Sequence, residues 1–537
     1  MAKKSAPVSK RSVKKKTAPK KKKKAATSNQ RTTKKKTAKK SVAKKAASRT
    51  KTTKRKATAA KAKPRAGRGP HHVILGAGPA GINAIETIRS IDGGASRITL
   101  VCDEPPYARM VLPYYLAGNI PEKQVFTGDD NYLKRLGVDG VFGRRAVFVD
   151  AKANAVILQD GQKLDYDNLL VATGSSAIRP RIDGADLPGV STLWTLADTQ
   201  HVLKRLKPGA RVILVGAGFI GFIVLNALAK RGCGLDVVER ERAVLPNMLD
   251  ARGAEAVEGH LRGKNIGVHT GTTVESIRSE DDGTLVASLD RGSELRADAI
   301  ILAVGVQPKI RFLEDSGLKT RHGVLVDNRM RTNVRNVYAA GDCAEGPNLL
   351  NGAQAVHAIQ PTAVDHGRVA GANMAGKRVN YRGSLSLNIL DVVGLQCASF
   401  GQWNADAETQ TIANPGRPGY RKLVWDGDRV TGAILIGPSA DISNLNDMGM
   451  VKGIIQTQTP LGVWKQHLRD NPLDIRRAYI GAGVAQTLLK TTLLGDDSTD
   501  RDYRFKNAMP NTRPSPHHKT FVRDFVEAQP GVAGPPH

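Results

Sequence analysis

Two glycine triplets of the same spacing carry the strongest chemical signal in this 537-residue chain. The first, Gly76-Ala77-Gly78-Pro79-Ala80-Gly81, follows the apolar run His72-Val73-Ile74-Leu75 and leads into Ile82, Ala84, Ile85 and Ile88 at helical spacing. A strand, a glycine turn and a helix in that order make a phosphate cradle. The first glycine permits the tight turn, the second lets a pyrophosphate reach the backbone, and the third lets helix and strand pack closely. The helix N-terminus then faces the anion. A second strand, residues 97–102, ends at Asp103-Glu104, where a carboxylate accepts hydrogen bonds from ribose hydroxyls. The whole pattern recurs in Arg211-Val212-Ile213-Leu214-Val215, Gly216-Ala217-Gly218-Phe219-Ile220-Gly221, a helix to about Arg231, and a strand ending at Glu239. Two dinucleotide sites are implied. An acid at Glu239 favours a free 2′-hydroxyl and repels a 2′-phosphate, so the second site should prefer NAD over NADP, although Arg240 and Arg242 pull the other way.

The elements needed to position these groups fit the rest of the chain. Its 82 Lys+Arg exceed 49 Asp+Glu, but residues 1–70 hold 29 of the basic residues and no acid, so the remaining 467 residues carry only about +4. A body of that length should fold as several domains with ample core. Four cysteines without a CxxC pair exclude a disulfide framework or an all-Cys metal site of usual spacing, and suit a reducing cytoplasm. Residues 212–229 are uncharged and long enough to imitate a membrane span. The glycines inside that stretch instead read as a buried strand turning into a helix, so no membrane span is expected.

Further segments resemble the FAD-dependent pyridine nucleotide-disulfide oxidoreductase superfamily. Leu169-Leu170-Val171-Ala172-Thr173-Gly174 is similar to its crossover out of the first FAD segment, and residues 299–305, ending at Gly305 and followed by Pro308, to the exit from its NAD domain. Asn336-Val337-Tyr338-Ala339-Ala340-Gly341-Asp342-Cys343-Ala344 resembles the second FAD motif, whose aspartate binds the ribityl chain and flavin phosphate. Residues 106–118 and 420–437 resemble the branch containing NADH-dependent ferredoxin and rubredoxin reductases and the flavin module of assimilatory nitrite reductase. That resemblance implies that Arg109 contacts FAD, that Ala146 meets the adenine through its backbone, and that Ile359-Gln360-Pro361 lies by the flavin ring. It also implies an α/β fold with two Rossmann-like domains, for FAD and NAD, and a C-terminal α+β interface domain. The boundaries read as a basic tail (1–70), FAD domain (71–187 and 316–379), NAD domain (188–315), interface domain packing on the flavin domain (380–470) and C-terminal extension (471–537).

Departures from the family are equally informative. No CxxxxC pair follows the first helix, and Met110 stands where the single-cysteine branch (coenzyme A disulfide reductase, NADH peroxidase) keeps its reactive thiol; methionine forms no thiolate. Tyr114 and Ile223 align with a Lys and a Glu that family members pair beside the flavin. Losing both partners strands no buried charge. Cys102, Cys233, Cys343 and Cys397 read as ordinary buried or strand-edge thiols, with Cys343 alone near the flavin. His357 and His366 flank the flavin-side segment as core or surface histidines, or as an acid near the ring.

The implied activity is that of an FAD-dependent NAD(P)H:acceptor oxidoreductase: hydride passes from NADH to FAD, and electrons go on to an external acceptor such as a ferredoxin- or rubredoxin-type protein or a nitrite reductase subunit. Two other readings stay open: an NADH oxidase, and a flavoprotein scaffold or redox sensor, held by its tail, with a degenerate nicotinamide site. A homodimer is expected. The tail, Lys clusters spaced by Ala, Thr and Ser without an aromatic residue, cannot offset its ordering entropy and should be disordered. It is similar in composition to the tails of linker histones and suits nucleic acid or another polyanion, which would place a cytoplasmic protein at the nucleoid.

Overall fold

The computed structural model describes residues 69–414, 419–490 and 492–495; residues 1–68 of the expected disordered tail and residues 496–537 lie outside them. His71–Leu75 is the central strand of an all-parallel five-stranded sheet, ordered Val337–Ala339, Asn168–Val171, His71–Leu75, Arg97–Cys102, Val138–Phe142. Its near-continuous apolar sequence follows from that position, because a central parallel strand is covered on both faces, and His72 to Leu75 are all buried. Val73 and Ile74 have no exposed surface. Helix Pro79–Asp92 springs from the first glycine turn and packs on helix Gln360–Met374 so closely that a Cβ at Gly367 would lie 2.2 Å from the Ala80 carbonyl oxygen.

A second all-parallel sheet is ordered Gly267–Thr270, Gly234–Glu239, Arg211–Val215, Ala299–Leu302, Val190–Thr192. The stretch that imitates a membrane span is its central strand Arg211–Val215 followed by helix Phe219–Lys230, which buries Phe222 and Leu225. Among the described residues, no helix is long and apolar enough to cross a membrane.

The third layer is an antiparallel sheet, ordered Leu387–Val392, Leu395–Gly401, Arg429–Pro438, Gly419–Asp426, Glu408–Asn414. Period-two alternation sends its side chains into two separate cores. Ile434 and Ile436, with Val392, Leu395 and Cys397, join Phe222, Leu225, Val257 and Leu261 of the second parallel unit. Leu435 points the other way and meets Trp425, Met448, Ile454, Leu468 and Ile475 under the helices Ile442–Thr457, Val463–Asp470 and Ile475–Gly481. The sheet was expected on the first unit, but its inner face shares the core of the second. Tyr420 donates to Asp250 at 2.8 Å and Lys422 pairs with it at 3.2 Å, while a His260 ring nitrogen lies 3.1 Å from the Val393 carbonyl oxygen. The first unit reaches the outer core through Leu349 and Leu350.

Candidate functional site

At the first glycine turn each glycine has its own reason to lack a side chain. Gly76 adopts φ +110°, and a Cβ there would lie 2.2 Å from the Ala172 carbonyl oxygen; one at Gly81 would lie 2.0 Å from that of Gly76. Gly78 is different: a Cβ there would meet no atom within 4 Å, because it faces a cavity of about 710 Å³. Gly78 also caps helix Pro79–Asp92 without a side-chain hydrogen bond, and the first turn contains no acid. The free N–H groups and the positive end of the helix dipole therefore point into a space that suits an anion.

The cavity gathers residues from well-separated stretches of the sequence. Gly76, Gly78, Pro79, Ala80, Asp103, Glu104, Arg109, Ala146, Thr173, Gly174, Gly341 and Asp342 all line it. Gly81 instead closes the packing behind the turn. Both acids at the end of strand Arg97–Cys102 are already held. Asp103 pairs with Arg145 at 3.0 Å and lies 3.9 Å from Lys309, whereas Glu104 accepts from Arg109 at 2.6 Å and from the Tyr107 hydroxyl at 3.0 Å. Arg109 lies near the Tyr107 and Trp194 rings and donates to the Trp194 carbonyl at 2.8 Å. Asp342 accepts from the Ser175 hydroxyl at 2.8 Å. Burial pushes its carboxyl up, and Ser175 and the Arg109 charge pull it back.

Gln360 and Pro361 are exposed at the start of helix Gln360–Met374 and do not line the cavity; Ala363, further along that helix, does. Sequence reasoning missed Arg144, Arg145, Ser175, Trp194 and Lys309, all of which line it. Ser175 and Lys309 directly follow motif residues, so their adjacency was a usable signal. Trp194 lies far from Arg109 in sequence and gave none.

The second turn repeats the first. Gly216 has φ +105°, and a Cβ there would lie 2.5 Å from the Ala303 carbonyl oxygen; one at Gly221 would lie 2.3 Å from the Gly216 carbonyl oxygen, and Gly218 faces open space. Phe219 and Ile220 open the helix, with no acid in its first turn. Glu239 accepts from the Ala217 N–H at 2.6 Å and from the Glu241 N–H at 2.9 Å, which fixes its carboxylate against the turn. Gly305, at φ +128°, accepts from the Ile178 N–H at 2.9 Å where the chain returns to the first unit.

Tyr114 and Ile223 lie on two packed helices, Leu112–Leu116 and Phe219–Lys230, joined by a hydrogen bond from Arg231 to the Leu116 carbonyl at 2.9 Å. Tyr114 is 54% exposed, and Ile223 is partly buried against the second core. Met110 is exposed. Burial pushes the thiols of Cys102, Cys233, Cys343 and Cys397 up, and Cys343 donates to the Val171 carbonyl at 3.3 Å. At Cys233 burial outweighs the nearby Arg231 charge, so none of the four is favoured as a reactive thiolate. His357 and His366 are both buried and held low by desolvation, His366 near about 3, so neither is poised as an acid at neutral pH.

Comparison with known proteins agrees with this geometry. Residues 70–358 match the model of the pyridine nucleotide-disulphide oxidoreductase family, and residues 387–450 that of the rubredoxin NAD+ reductase C-terminal domain. The chain is 30% identical to the epsilon subunit of NADH-dependent phenylglyoxylate dehydrogenase from Aromatoleum evansii, over 76% of this chain and 96% of that one. It is 28% identical to rubredoxin-NAD(+) reductase from Pseudomonas putida, over 57% and 80%. It is 27% identical to nitrite reductase [NAD(P)H] from Bacillus subtilis over 70% of this chain, which spans only 46% of that relative. In the crystal structure of the covalent putidaredoxin reductase-putidaredoxin complex, a chain of 22% identity shares the fold with a TM-score of 0.71, over 77% of this chain and 99% of that one. Two phosphate cradles of one design, in a chain matched over more than half its length, lead to one assignment: this protein belongs to the pyridine nucleotide-disulphide oxidoreductase family, the FAD-dependent NAD(P)H oxidoreductases.

Proposed function

We propose that the chain takes hydride from NADH and passes electrons singly to a separate redox protein of the ferredoxin or rubredoxin type, or to a partner reductase subunit. The carrying observation is the pair of glycine turns, each with its second glycine open to space, a helix N-terminus behind it and a carboxylate at the end of the next strand. The cavity at the first turn fits FAD: its volume lies in the range of cofactor pockets, and an uncapped helix end and cationic side chains suit a pyrophosphate. Bound FAD would supply the step from two-electron to one-electron chemistry.

The residues around it bind and orient. In this reading Gly76, Gly78, Pro79 and Ala80 hold the pyrophosphate, Asp103 or Glu104 a ribose, and Ala146 the adenine. Thr173, Gly174, Gly341 and Asp342 follow the ribityl chain and Arg109 steadies the ring side, whereas Gln360 and Pro361, exposed and off the cavity wall, are assigned no contact with the ring. Gly216, Gly218, Phe219, Ile220 and Gly221 receive the phosphates of NADH, Glu239 its ribose, and Gly305 lies at the return between domains. The two parallel units act as Rossmann-like FAD and NAD domains with the boundaries given above, and the antiparallel layer supports a homodimer. Residues 1–70 grip a polyanion, with nucleic acid favoured by their charge density. An anaerobic visible spectrum titrated with NADH and with NADPH tests the reading. Preferential bleaching of a flavin band by NADH is expected; a flavin that neither nucleotide bleaches would overturn it in favour of the tethered scaffold.

A further inference from the structure

Arg240, beside the ribose-binding acid of the second site, is the residue type that captures a 2′-phosphate, yet the reading above makes this an NADH site. The loop that carries it stays close to the phosphate cradle, because Glu239 is fixed to the Ala217 N–H and the Leu245 N–H donates to the Ala217 carbonyl at 2.9 Å. Within that loop the Arg240 guanidinium turns to Glu241, with Nη2 at 3.1 Å and Nε at 3.3 Å from the same carboxylate oxygen. Glu241 is itself anchored: its N–H donates to Glu239 at 2.9 Å, and its carbonyl accepts from the Gly271 N–H at 2.8 Å. A carboxylate carried on an anchored backbone therefore pairs with the one cation that adjoins Glu239 in sequence.

We propose that Glu241 is a selectivity residue of the second nucleotide site: by holding Arg240 it denies a 2′-phosphate its cationic partner and keeps the site for NADH. This rests on the assignment of the second glycine turn as the nicotinamide-nucleotide site. Glu241 acts through Arg240 and touches neither the flavin nor the reacting carbon.

The test is a double-mutant cycle on the full-length holoenzyme, with steady-state reduction of a dye acceptor by NADH and by NADPH. Glu241→Gln should raise the NADPH:NADH ratio of kcat/KM about threefold to fivefold, the range that an exposed ion pair can control. The change should appear as a lower KM for NADPH at unaltered kcat for that nucleotide, and Glu241→Asp should restore much of the original ratio. In an Arg240→Ala background the same Glu241→Gln change should give no gain. An unchanged ratio in E241Q overturns the proposal, as does an equal gain with and without Arg240, which would assign the effect to bulk charge or to Arg242. Failure of the underlying assignment is separate: wild-type flavin would then not be bleached by NADH at all.

Discussion

The two glycines that bracket the start of helix Pro79–Asp92 should respond in opposite ways to one added methyl group. Gly78 has φ −74° and ψ −177°, extended backbone open to any residue, and a Cβ there meets no protein atom within 4 Å. Gly78→Ala should leave the apoprotein as stable as before, or more so by about 0.4–1 kcal/mol, since alanine restricts the unfolded chain. On the proposed placement of FAD, the methyl group would occupy the space of the pyrophosphate. Displacing one charge-assisted N–H bond to phosphate costs about 1.5–3 kcal/mol, so FAD should bind about 10- to 150-fold more weakly. Gly81→Ala puts its Cβ 2.0 Å from the Gly76 carbonyl oxygen, a backbone atom that cannot swing aside, and should destabilise the fold by about 1–3 kcal/mol or more. Flavin-stripped protein would be titrated with FAD by fluorescence quenching, and its denaturant midpoint measured alongside. A G78A variant that binds FAD like the wild type, or that unfolds at lower denaturant, would refute the placement of the pyrophosphate; a G81A variant of unchanged midpoint would refute the packing argument.

Three further outcomes are expected. Glu239→Ala should raise the KM for NADH about tenfold or more while improving NADPH, in line with the loss of a charged hydrogen bond to the ribose; unchanged selectivity would remove Glu239 from the site. His72 and His366 are both about 1% exposed and held neutral by burial, near about 4 and about 3. Above pH 6.5 they are neutral in both folded and unfolded chains. As the pH falls from 6.5 to 4 only the unfolded chain takes up their protons, so each lowers stability by about 1.4 kcal/mol per pH unit; His366→Gln should flatten that slope by one proton in denaturant titrations at pH 6.5 and 5, and an unaltered slope would count against it. Deleting residues 1–68 should leave NADH turnover intact and abolish duplex DNA binding, which in the full chain should fall by about 10³ or more between 50 and 200 mM salt; salt-independent binding would dismiss the phosphate-grip reading.

The first parallel strands and their turns were legible because strand, glycine spacing and helix are local signals. The expected 97–102 strand is Arg97–Cys102 in the structure, and the pseudo-transmembrane stretch resolves at its glycines into Arg211–Val215 and Phe219–Lys230. The placement of the antiparallel sheet was not legible. Ile434 and Ile436 read simply as apolar, and which core they enter depends on partners such as Phe222 and Val257, more than a hundred residues away. Helices Ile475–Gly481 and Val484–Lys490 fall in the segment read as an extension, yet Ile475 and Val484 bury in the outer core. Arg145 and Lys309 escaped notice because isolated basic residues are usually solvated, and only folding brings both to Asp103.

The merged core of the second parallel unit and the antiparallel sheet makes the two a single cooperative element. Phe222, Leu225, Val392 and Ile436 share one core, so parting the two layers would uncover all four. Amides of helix Phe219–Lys230 and strand Leu387–Val392 should therefore exchange with solvent through a common opening free energy. Nucleotide captured at Gly218 would slow exchange throughout the antiparallel sheet, so hydrogen exchange in a layer that touches no phosphate becomes a gauge of occupancy at the turn.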